Sequence, residues 1–292
     1  MFGWLFAAKC PVNLDRKAWL ERGLNWLGGQ FGARRMLARP LVLPTPEFFP
    51  DLFDGSSRAA EAVFDRVCRY MEVSRDRVFL RLFVNDRDGM PQHLREGRSH
   101  GAAGLYQADQ LGQVVIGIDE AQLRDPMSLV GTMAHELGHV HLLGDGRVSS
   151  DSPDHEPLTD LLTVLYGLGV FTANSVIHES HWTDGQHSGW SVGRQGYLTG
   201  PEYGYALALL AQARGEQSPG WASYLRLDVR SALGQGLRYL KSAGESPFPD
   251  GPSVGTAPPS EEDVPWTRPK PANDDDWDDE GDLPPWARNK TR

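Results

Sequence analysis

Apolar residues recur at helical spacing along most of the chain and alternate, as in a strand, in two short stretches. Trp19, Leu20, Leu24 and Leu27 fall on one face of a helix predicted over Asp15 to Leu27. Val63, Phe64, Val67 and Met71 make a second stripe in a capped helix over Asp54 to Met71, and Cys68 lies on it as an expected buried thiol. Between them, Pro40 to Phe53 is punctuated by proline and reads as a loop. Val78 to Val84 alternates like a strand, and Gln113 to Asp119 reads as a strand just before the next helix. That helix opens with Asp125 as N-cap and Pro126 in its first turn. Met127, Val130, Met133, Ala134, Leu137 and Val140 give it one buried stripe, and it should stop before Gly144-Asp145-Gly146. A further helix starts near Glu156 and Pro157 and carries Leu161, Leu162, Leu165 and Leu168. Two more are expected near Glu202 to Arg214 and Trp221 to Leu240. These elements predict an α+β fold with a small mixed sheet.

The pattern divides the chain into three parts. Residues 1–110 read as an α/β lead-in packed on the core, and 111–243 as the core with its C-terminal helices. From Gly244 the periodicity disappears. Residues 244–292 hold ten of the 21 prolines, with twelve acidic residues against five basic ones. Such a stretch buries too little apolar surface to order itself, so a disordered acidic tail is expected. Trp266, Trp277 and Trp286 stand in it among prolines and acids. They read as a docking motif for a protein partner or as a flap over the protein's own cleft, set against a purely solubilising tail.

Composition narrows the classes. The chain has 292 residues with 40% hydrophobic content, enough for a substantial core. Most of its net charge of −10 sits in the tail. No basic stripe appears, so nucleic acid is not an expected partner. The apolar opening Met1 to Cys10 is too short to span a membrane and lacks a basic leader. Two cysteines offer no disulfide framework, so a reducing cytoplasm is the expected location, with no membrane association.

The chemistry is concentrated in His135-Glu136-Leu137-Gly138-His139. Positions four apart share a helix face, so His135 and His139 can aim their imidazoles at one point. Two imidazoles with a third protein ligand make an open zinc site whose fourth position holds water. Glu136, beside that point, is placed to take a proton from the water and pass it to a leaving amine. Gly138 costs the helix about 1 kcal/mol relative to alanine, which suggests that a side chain there would crowd the metal or a strand above it. Downstream, Glu156 and Asp160 are also four apart. One of them can bind zinc while the other accepts a hydrogen bond from a ligand histidine and fixes its tautomer. His155 and Asp154, next to Glu156, are alternative ligands, whereas His141 should point away from the metal.

Over about Met127 to Leu168 the chain resembles the gluzincins, the metallopeptidase clan that includes thermolysin, in its HExxH and a following ExxxD on a second helix. The metzincin pattern fails, because Leu142 and Asp145 stand where it needs glycine and histidine. The resemblance implies a zincin-like core with an active-site helix and a second ligand-bearing helix, holding one zinc per chain. It implies His135, His139 and Glu156 as ligands, Glu136 as general base, and Asp160 as the carboxylate behind a ligand histidine. In such enzymes an edge strand before the active-site helix pairs with the substrate backbone, a role that falls here on Gln113 to Asp119. A stabiliser for the oxyanion should come from His178, Arg194, Tyr197 or Tyr203, among which no spacing decides. The expected activity is zinc-dependent cleavage of a peptide or protein substrate. Two other readings stand beside it: a zincin-fold regulatory or binding protein without turnover, and a structural zinc closed by a fourth protein ligand such as His155.

Overall fold

The computed structural model describes residues 8–84, 104–108, 113–175, 177–183, 188–194 and 198–243. The acidic tail therefore lies outside the described residues, as does Tyr197. Eight α-helices and two sheets appear among them. Helix α1 spans Leu14–Phe31, opened by the Asn13 side chain accepting from Arg16 N–H, and the short α2 (Ala33–Leu37) follows. Helix α3 covers Ser57–Tyr70 behind an Ser56 cap. Strands β1 (Val78–Phe83), β2 (Gly104–Ala108) and β3 (Val114–Asp119) form one mixed sheet in the order β1-β3-β2. In it β1 runs parallel to β3, with Val78 opposite Val114, and β2 runs antiparallel, with Gly104 opposite Ile118.

The helices that carry His135, His139 and Glu156 follow. Helix α4 (Pro126–His139) starts where the Asp125 carboxylate accepts from Met127 and Ser128 N–H at 3.0 and 3.2 Å. Its end runs directly into a π-helical turn over Val140–Gly144. Helix α5 covers His155–Leu165 and α6 covers Gly169–Asn174. Strands β4 (Ile177–Thr183) and β5 (Ser188–Arg194) make a separate antiparallel pair, after which come α7 (Gly200–Ala213) and α8 (Leu227–Ala243).

The sequence predicts one buried stripe on α4, but every residue from Ser128 to His139 is buried except His135. The reason is position: α3, α5, α6 and the β2–β3 side of the sheet all pack on it. A helix buried on all sides is held rigidly. Helix α1 packs against α5 and α7, and β1 and β2 both pair with β3. The 110/111 divide drawn from the sequence thus runs through the sheet, and both sides contribute to one continuous apolar core. Among the described residues no helix is long and apolar enough to cross a membrane.

Strand placement corrects one expectation. Val114–Asp119 is the central strand of its sheet, with both edges already paired, so it has no free edge for a substrate backbone. The edge strand on the α4 side is β2. Gly104 opens it so close to α4 that a Cβ there would lie 2.5 Å from Thr132 Cγ2 and 2.6 Å from Glu136 Oε1. Only a residue without a side chain lets the strand come down on the helix at this point.

Candidate metal centre

His135, His139 and Glu156 converge where the end of α4 meets the start of α5. One ligand atom from each lies within 4.8 Å of the others. Glu156 Oε2 is 3.0 Å from His135 Nε2 and 3.4 Å from His139 Nε2. Ligands about 2.05 Å from a tetrahedral zinc stand about 3.3 Å apart, so the two separations measured from Glu156 fit that ion, with the third donor pair within 4.8 Å.

The far side of each imidazole is also arranged. His135 Nδ1 lies 2.8 Å from Asp160 Oδ1, an acceptor that holds a proton on Nδ1 and turns Nε2 toward Glu156. Behind His139 stands Thr159. Its hydroxyl donates to the His155 carbonyl at 2.7 Å, so toward His139 Nδ1, at 3.3 Å, the same oxygen accepts. That again protonates Nδ1 and frees Nε2. Thr159 was not among the residues singled out from the sequence. Its place three after Glu156, on the same helix face, is the signal that points to it.

Charge balance follows from this geometry. Burial alone would lower the His135 pKa, but its hydrogen bonds to the Asp160 and then the Glu156 carboxylate raise it well above the ordinary histidine value. Burial pushes His139 down to about 4, against the pull of Glu156. Burial would raise Glu156, yet hydrogen bonds to His135, His139 and His155 hold it far below the usual carboxylate range. An ionised carboxylate beside two imidazoles oriented through Nδ1 is a donor set that a divalent cation could take by displacing the proton His135 shares with Glu156.

Glu136 is buried on α4 against Thr132 and the start of β2. Tyr106, two residues along β2, packs its ring 5.7 Å from that of His139. His155 is not one of the three converging residues. Its Nε2 is 3.2 Å from the other oxygen of Glu156, and its Nδ1 is 2.6 Å from the Ser152 carbonyl. His141 points away as expected, with Nε2 at 2.6 Å from the Met71 carbonyl. Gly138 has a different cause from the one expected. A Cβ there would meet Thr159 Cγ2 at 2.7 Å, so the glycine admits α5, not the metal or a strand.

The four oxyanion candidates separate. His178 lies on β4 and Arg194 on β5, strands for which only backbone pairing is described, and Tyr197 falls outside the described residues. Tyr203 is 1% exposed, with its hydroxyl bonded to Asp160 and Thr172. That places it behind Asp160, as a support for the carboxylate and not as a group facing a bound carbonyl. No family profile, curated protein or solved structure matches the chain.

Proposed function

We propose that this protein is a zinc-dependent metallopeptidase of the gluzincin type, with a zincin-like core. The observation that carries the reading is the gathering of one ligand atom each from His135, His139 and Glu156 within 4.8 Å, with both Nδ1 atoms already engaged. His135, His139 and Glu156 hold the ion, and Asp160 and Thr159 keep the two imidazoles in the metal-binding tautomer. A zinc ion held by these residues would lower the pKa of a bound water and polarise a scissile carbonyl. Glu136 accepts the proton of the attacking water and returns it to the departing amine. Its carboxylate faces the start of the edge strand β2, at Gly104.

Three protein ligands would leave a fourth position for water, and His155, held on Glu156 and Ser152, lies outside the converging set. This favours catalysis over a purely structural zinc. Both cysteines are free, in keeping with work in a reducing cytoplasm. The test combines elemental analysis with cleavage of a mixed peptide library by the purified chain. One zinc per chain with cleavage lost in Glu136→Gln supports the reading. Zinc without any cleavage would point to the regulatory or structural alternatives, and absence of zinc would end all three.

A further inference from the structure

Two buried polar connections run from helix α1 to the metal centre. The first begins at Arg16, only 5% exposed, whose Nε donates to Glu202 Oε1 at 2.5 Å. The other oxygen of Glu202 accepts from Thr199 N–H at 2.6 Å and from the Thr199 hydroxyl at 2.8 Å, which closes the cap of α7. The neighbouring Leu198 N–H donates to Asp160 Oδ2 at 2.9 Å, while Oδ1 of the same carboxylate holds His135. Tyr203, the residue after Glu202, adds its hydroxyl to Asp160. The second connection begins at Trp19, whose Nε1–H donates to Asp154 Oδ1 at 3.1 Å. Asp154 is the N-cap residue of α5, yet its side chain makes no capping bond to that helix. It is turned to α1 instead, directly ahead of His155 and Glu156. The Arg16 guanidinium lies 4.7 Å over the Trp19 ring, so the two connections start from one unit.

Buried ion pairs are poor investments in stability, because desolvation offsets most of their attraction. What such contacts supply is fixed orientation. We propose that Arg16 and Trp19 are positioning residues for the metal centre, acting through Glu202 and Asp154 on the carboxylates that orient His135 and supply the third ligand. The inference rests on the metal-centre reading above and extends it to a helix more than a hundred residues away in sequence. Metal binding and the docking of α1 are then linked: each strengthens the other.

The test uses the full chain with Arg16→Met, Trp19→Phe and Glu202→Gln. Trp19→Phe is the mildest, since it keeps an aromatic ring and removes the Nε1–H. Zinc affinity is measured by chelator competition, and Co(II) is substituted so that its visible bands report ligand geometry. Arg66→Met, which breaks an exposed pair with Asp51, serves as the control. The expected result is zinc binding weakened by about tenfold in the three variants, the lower end of the effect of groups that support ligands, with altered Co(II) bands and an unchanged control. Folded variants with wild-type affinity and wild-type Co(II) bands would overturn the inference and leave the metal centre standing. A loss of affinity that only tracks the unfolded fraction of each variant would overturn it too, by showing a purely structural role. A wild-type chain that takes up neither ion removes the metal centre itself, and this inference with it.

Discussion

Helix α4 presents His135 and His139 from its closing turns, whereas α5 presents Glu156 from its opening one. In α4 the placement is internal. A side-chain cap and a proline start the helix, and the whole rod is enclosed by its neighbours. In α5 the ligand stands at the second helical position, where intrahelical hydrogen bonding is incomplete. Its surroundings make up the difference: Asp154 is held by Trp19, and Asp160 by Leu198 and Tyr203. The positive end of the α5 dipole also favours the Glu156 carboxylate. The contrast teaches that an enclosed helix sets where histidines four apart stand while α5 orients their rings, and that a carboxylate in a first turn is placed by contacts from other elements.

Substitutions break this contrast in graded ways. His139→Ala has the largest expected effect, since a metal ligand is worth roughly 3 kcal/mol. Zinc affinity should fall by more than about 100-fold and cleavage should vanish with it, measured by elemental analysis and peptide turnover. Glu136→Gln is next: it should keep stoichiometric zinc while kcat drops by about 10² to 10⁴. Zinc lost together with activity would mean that Glu136 belongs to the ligand set. Asp160→Ala tests the dependence of the site on its surroundings. Zinc affinity should fall about 10- to 100-fold in chelator competition without abolishing the site. Asp125→Ala tests the internal support of α4 and should do the converse. Loss of the cap costs about 1 kcal/mol, seen as a Tm lower by roughly 2–4 °C, with zinc affinity of the folded protein unchanged. If Asp125→Ala weakens zinc as much as Asp160→Ala does, the two helices do not differ in the way described.

Legibility in the sequence follows the same line. Helix α4 could be read because cap, proline and apolar spacing agree locally, and the His135–Glu136–His139 face came with it. Helix α5 was legible too, since Pro157 and the leucines after it mark its course. Strand β2 was not. Gly104 to Ala108 lacks the alternation of a half-buried strand, and pairing with β3 makes it one. That omission led to the assignment of a substrate edge to β3. Helix α6 was missed for a similar reason: six residues opening on Gly169 have weak helical preference, and packing on α4 and α7 forms them. Arg16, Trp19 and Asp154 carry no spacing relative to the HExxH, so their connection to it becomes visible only in three dimensions.

The close approach of Gly138 to Thr159 carries a consequence for how such a centre is gauged. The two helices touch where one residue has only hydrogen, so the span between the histidine pair and Glu156 is set by a contact that no ligand makes. Adding a single methyl group there would act as a shim, prying α5 off α4 and stretching the donor triangle. Larger ions with longer bonds would then be better matched than zinc. Under the proposed metal-binding reading, ion preference is thus written partly in the thickness of a backbone.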